Sequence, residues 1–247
     1  MGILNFFSER RRQEEPDRSI TIDFHSHILP GIDDGAKTVE DSVRIIRELQ
    51  HQGVQKIITT PHILRDLYPN TPETIRAAEQ ILRTALKAEN IEIDLQVAAE
   101  YYMDEYFINL LKTGAEILTF NDKSILVETN YVERPDFLEQ VIFDLKIDGY
   151  DVILAHPERY HYLIGNFGEI DKLADTGLKY QVNLISFTGY YSPEVKKTAE
   201  YLLKNQMISY LGSDIHHIEH AKIITNFKRG KTYQKLLELP ILNNAMH

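Results

Sequence analysis

At 247 residues, 43% hydrophobic and 26% charged, the chain has room for one large α/β domain or two small ones. Its net charge of −10 argues against nucleic acid, whose phosphates call for a basic face, although bound cations can let an acidic protein act on a phosphate. The chain has no cysteine, which removes disulfides, thiolate ligands and cysteine nucleophiles, and no apolar run approaches the roughly 18 residues of a membrane helix.

The N-terminus, MGILNFFSERRR, places charge after a short apolar patch, unlike a signal peptide. Residues 1–18 read as a flexible leader and residues 19–247 as a single domain, cytoplasmic by default and without stable membrane insertion. From Ser19 onward, short apolar or β-branched runs recur in order: SITIDFHSH, VQKIITTPH, IEIDLQVAAE, KSILVETN, DVILAHPER, KYQVNLIS and MISYLGSDIH. Several are apolar almost throughout, as strands covered on both faces should be.

Helical patterns with recognisable ends lie between them. Thr38-Val-Glu-Asp41 resembles a capping box and opens a helix with Val43, Ile46 and Leu49 on one face, stopped at Gly53. Thr71 caps a helix with Pro72 at its first position, followed by Ile75, Ala78, Leu82 and Ala85 at helical spacing. A third helix is expected from Pro135 to Lys146, with Leu138, Val141, Ile142 and Leu145 inward. A fourth opens at Ser192-Pro193-Glu194 and runs to about Asn205. Strands alternating with helices predict a parallel sheet with right-handed crossovers, and seven such units suit a barrel better than an open sheet.

The polar residues fall where such a barrel carries its chemistry. The strand ends hold His25 and His27, His62, Glu100, Glu128, His156 followed by Arg159, Asn183, and Asp214 with His216. The C-terminal strand ends of a parallel barrel share one face, so these groups would converge there. A lone histidine at a strand end is usually structural, so His51, His161 and His217 carry little weight. The whole set is another matter, because buried together without a cation these groups would repel or stay unpaired. Nitrogen and oxygen ligands without sulfur suit manganese, iron, zinc or cobalt, and a central glutamate can bridge two ions. Two or three adjacent divalent ions are an arrangement for hydrolysing phosphate esters, with Arg159 placed to hold a phosphate oxygen.

The ordered motifs HSH, TTPH, AAEYY, LVET, AHPERY and GSDIHH resemble those of the polymerase-and-histidinol-phosphatase (PHP) superfamily. The longer strings DFHSHILPGIDDGAKT and VILAHPERY resemble its manganese-dependent protein-tyrosine phosphatases of the CpsB/YwqE type, and the likeness spans Ser19 to Gly230. The resemblance implies a distorted (β/α)₇ barrel of PHP type with its metal site at the C-terminal strand ends. It implies two or three divalent ions, manganese first. One would be held by His25, His27, Glu100 and Asp214, a second by Glu100, Glu128 and His156, and a third by Asp33, His62 and His216. Arg159 would hold the phosphate, and Asp34 would assist the leaving group.

The implied substrate is a phosphotyrosine protein, a bacterial tyrosine kinase controlling capsule or exopolysaccharide export. Without cysteine, its hydrolysis would need a metal-activated water in place of a phosphoenzyme. A histidinol-phosphate phosphatase and a catalytically silent, metal-bound kinase regulator are the alternatives. Homo-oligomerisation stays open. Some members carry an arginine shortly after the last motif; here the string HHIEHAKII has none before Arg229, and His217, His220 or Lys222 stand where it would be.

Overall fold

A computed structural model describes residues 19–246, so the leader expected over residues 1–18 lies outside the described residues. The strands and helices run β1 (Ile22–Phe24), α1 (Val39–His51), β2 (Lys56–Thr59), β3 (His62–Ile63), α2 (Pro72–Ala88), β4 (Asp94–Val97), β5 (Glu100–Tyr102), α3 (Glu105–Thr113), β6 (Ser124–Glu128) and α4 (Leu138–Ile147). They continue with β7 (Asp151–Ala155), α5 (Phe167–Asp175), β8 (Lys179–Asn183), α6 (Pro193–Lys204), β9 (Ile208–Gly212), α7 (Ile218–Phe227) and α8 (Lys231–Leu237). Three of the four expected helix starts are present, and the helix expected from Pro135 begins at Leu138 without a side-chain cap. Thr38 accepts from Asp41 N, Thr71 forms a capping box with Thr74 ahead of Pro72, and Ser192 accepts from Val195 N.

The chain is an α/β fold with every strand pairing parallel. One sheet has the order β1-β2-β4 and the other β3-β5-β6-β7-β8-β9. Two expected strands each divide in two, because the chain leaves the first sheet after β2 and after β4 and enters the second as β3 and β5. At the far edge, Asp214 N donates to His25 O at 2.8 Å and His27 N to Ile215 O at 3.0 Å, tying the exit of β9 to the exit of β1.

Period-2 alternation divides the strands between two cores. Ile22, Phe24, Ile58, Leu126, Ile153, Ala155 and Tyr210 join a small inner cluster. Ile57, Ile125, Val127, Val152, Leu154, Tyr180, Val182 and Leu211 belong to the larger cluster that packs against the helices. Phe24 touches the rings of Phe120 and Tyr210, with centroids 4.5 and 5.0 Å away, and burying a side chain of this size contributes roughly 2 kcal/mol. The C-terminal turn reaches the same inner cluster through Met246, while Asn243 bonds Ile22 O and Leu211. The inner face of the strands is thus filled with apolar groups up to the strand ends, where polar residues replace them.

Candidate metal centre

Strand parity and three sharp corners assemble the site. Glu128 lies two residues beyond inward-facing Leu126, and the register of β3 with β5 sets His62 directly beside Glu100. His25, His156 and Asp214 adopt left-handed backbone angles, φ 76°, 33° and 48°, a conformation that strains a non-glycine residue by about 1–3 kcal/mol. The corner at His25 lets both imidazoles of His25-Ser-His27 face one point, with their Nε2 atoms 3.2 Å apart. Glu100 Oε2 lies 3.2 Å from His25 Nε2 and 3.4 Å from His27 Nε2, and Asp214 Oδ1 lies 3.4 Å from each.

Adjacent groups share members with this one. His62 Nδ1 is 2.9 Å from Glu128 Oε1 and 3.1 Å from Glu100 Oε2, so Glu100 stands between two clusters. His156 Nε2 is 3.0 Å from Glu100 Oε1. His62 Nε2 and His216 Nε2 approach Asp34 Oδ1 at 3.5 and 3.4 Å. Four sets within this constellation could each hold an ion: His27, Asp34, His62 and His216; His25, His27 and Glu100; His25, His156 and Asp214; His62, Glu100 and Glu128.

The donor chemistry fits cations. Asp33 Oδ1 accepts from Gly35 N at 2.9 Å and its Oδ2 from His62 N at 3.2 Å, so this carboxylate is an acceptor and receives a hydrogen bond from the Nδ1–H of His27, 2.9 Å away. His25 Nδ1 faces Gln181 Oε1 at 2.7 Å. Both rings therefore turn Nε2 toward each other and toward two carboxylates, an arrangement that a positive charge, a proton or a bound cation, holds together. His156 Nδ1, His62 Nδ1 and Glu100 Oε1 are buried without a directed hydrogen bond. Burial opposes charge on every group here, and the neighbours outweigh it for most. Asp33, Asp214 and Glu100 hold His27 well above its ordinary value, while His25 and His62 keep Glu100 well below the usual carboxylate range. His156 is pushed down by burial, which keeps its ring neutral and ready to donate a lone pair.

Of the residues expected at this site, His25, His27, His62, Glu100, Glu128, His156, Asp214 and His216 are brought together, and Asp34 rather than Asp33 faces the His62 and His216 rings. Asp33 has both oxygens engaged by His27, Gly35 and His62 and orients the His27 ring from behind. Asp34 faces His62 and His216, the place the resemblance gave to Asp33. His216 and His62 also hold the Asp34 carboxyl below its ordinary range against the effect of burial, so it is a poor proton donor for a leaving group.

Arg159 ends a 3₁₀ turn, Pro157–Arg159, and its Nη1 donates to Asp214 Oδ2 at 2.8 Å. Its guanidinium lies between the rings of Tyr191 and Tyr131, 4.2 and 5.0 Å from their centroids. Sequence patterns did not single out these two tyrosines, nor Tyr68, whose ring stacks on His62. They sit on loops, where spacing carries no facing information. Gln181 was also missed; its signal was alternation, two residues before Asn183 on the inner face of β8.

Comparison with known proteins comes to the same place. The family described as capsular polysaccharide synthesis, CpsB/CapC, matches residues 21–232. The chain is 32% identical over 200 residues to tyrosine-protein phosphatase YwqE of Bacillus subtilis (strain 168), covering 80% of this chain and 78% of that protein. It is 31% identical over 208 residues to tyrosine-protein phosphatase CpsB of Streptococcus pneumoniae, covering 80% and 84%. A crystal structure from a study of YwqE and CpsB, described as unique metal-dependent tyrosine phosphatases, superposes with a TM-score of 0.80 at 28% identity over 91% of this chain and 93% of that one. An amidohydrolase from Mycoplasma synoviae shares the fold alone, with a TM-score of 0.54 at 13% identity over 92% and 86% of the two chains.

Proposed function

The chain belongs to the CpsB/CapC capsular polysaccharide synthesis family, and from that premise we propose that it is a metal-dependent, cysteine-independent protein-tyrosine phosphatase. The observation that carries the reading is the pair of Nε2 atoms of His25 and His27, facing each other and two buried carboxylates in a chain without cysteine. When bound, two or three divalent ions, manganese foremost, supply the field that offsets phosphoryl charge and lowers the pKa of the attacking water.

The residues divide the remaining work. His25, His27, Glu100 and Asp214 form one ligand set. Glu100 and Glu128 contribute with His156 and His62 to a second, and His62, His216 and Asp34 form the third. Asp33 fixes the ring of His27. Arg159, held by Asp214 and flanked by Tyr131 and Tyr191, has guanidinium N–H groups left over to bind a phosphate oxygen and orient the ester for in-line attack.

The substrate we assign is a phosphotyrosine on a kinase of polysaccharide export, reached on the cytoplasmic side by a single domain spanning the described residues. Among these residues no helix is long and apolar enough to cross a membrane. Phosphate release by the purified chain with Mn²⁺, measured against a phosphotyrosine peptide and against histidinol phosphate, tests the assignment. Turnover of the peptide is expected. Turnover of histidinol phosphate alone would sink it.

A further inference from the structure

Gln181 is buried on the inner face of β8, behind the ligands rather than among them. Its side-chain amide has a definite orientation. Oε1 receives the His156 backbone N–H at 3.2 Å, and a backbone N–H can only donate, so the atom facing it must be oxygen. The same oxygen lies 2.7 Å from His25 Nδ1, which must therefore carry a proton, so that Nε2 is the ring nitrogen available to a cation. The other end of the amide, Nε2, donates to Asn183 Oδ1 at 2.9 Å. That fixes Asn183 in turn, whose Nδ2 donates to Asp214 Oδ2 at 2.6 Å. One backbone N–H thus sets the polarity of a buried chain running His25–Gln181–Asn183–Asp214, and both its ends belong to the same cluster.

The space for this chain is built in. A Cβ at Gly212, the neighbouring inward position on β9, would fall 2.5 Å from Gln181 Nε2 and 2.3 Å from Phe24 O. The amide therefore packs against bare backbone, in space that any side chain at position 212 would take.

We propose that Gln181 is a positioning residue for the metal centre: through its oxygen it selects the Nδ1–H form of His25, and through its nitrogen and Asn183 it aims Asp214 at the same point. An amide does what neither a carboxylate nor an alkyl group could, because it accepts at one end and donates at the other. The inference rests on the metal reading above.

Competition for Mn²⁺ between the full chain and a chelating indicator separates the two. If the unsubstituted chain binds no Mn²⁺, the metal reading itself fails. If it binds, Gln181→Leu is expected to weaken the tightest site by about 10–100-fold, the usual loss when the group behind a metal-bound histidine is removed. Gln181→Glu keeps an oxygen on His25 Nδ1 and the His156 N–H but loses the donor to Asn183, and should recover part of that loss. Equal affinity in Gln181→Leu and the parent, or equal loss in both variants, would overturn the proposal. A readout independent of any variant's folding is the histidine two-bond ¹H–¹⁵N spectrum of the Zn²⁺-loaded parent chain. A proton on His25 Nδ1 is expected there, and a proton on Nε2 would overturn the assignment.

Discussion

At the scale of single residues, the site is a set of buried nitrogen and carboxylate donors for which protons and metal ions compete. His62 is raised to about 9, because Glu128 and Glu100 outweigh the burial that opposes its charge. In the metal-free protein this charge contributes stability that is fully present below pH 6.5 and is lost as the pH rises through about 9. A metal ion must displace the same proton. Apparent Mn²⁺ affinity is therefore expected to rise by up to about tenfold per pH unit between pH 6.5 and 9 for that one proton, with protons released into an unbuffered solution. Affinity flat across this range would contradict the account. Arg159→Ala should lower kcat/KM for a phosphotyrosine peptide by about 100-fold or more, the scale for losing one charge-stabilising donor, while bound metal measured by elemental analysis is retained. Full activity in that variant would remove Arg159 from phosphate binding. The ligand types were legible in the sequence because they recur at strand ends. The roles of Asp33 and Asp34 were not, because adjacent residues in a loop have no parity, and only the Gly35 and His62 backbone N–H groups fix which of them turns inward.

At the scale of elements, caps and corners decide where the groups go. The helices with capping start signals, α1, α2 and α6, were readable from Thr38, Thr71 and Ser192, whereas α4 was readable from its apolar spacing and begins at Leu138, after the expected Pro135, without a side-chain cap. The short α3, α5, α7 and α8 carry few buried positions, Phe107 alone in α3, so their periodicity is thin. The split of the expected second and third strands was likewise hidden. TTPH and VAAE stay extended or apolar throughout, and only the change of partner sheet ends β2 and β4. The loop after β1 depends on a close approach: a Cβ at Gly35 would lie 2.0 Å from His27 O. Gly35→Ala is expected to displace that loop, lowering the thermal midpoint by several degrees for about 1–3 kcal/mol of overpacking and weakening Mn²⁺ binding with it. An unchanged midpoint and affinity would show that the loop can move aside.

At the scale of the whole molecule, alternation of β and α predicted a parallel α/β fold with its polar rim at the strand ends, and the two sheets and their shared inner cluster agree with it. The junction of β9 with β1 could not be read, since a few backbone bonds between Asp214, His25, His27 and Ile215 make it and any side chain can accompany them. What unites the scales is charge: buried histidines and carboxylates gathered from β1 to β9 form groups that could hold cations, in a chain that has no cysteine. The most direct measurement is phosphate release from a phosphotyrosine peptide by the purified chain, before and after exhaustive chelation, and again with Mn²⁺ restored. The account predicts activity that vanishes with the metal and returns with it. Activity undiminished in the chelated protein, with metal verified absent by elemental analysis, would contradict it.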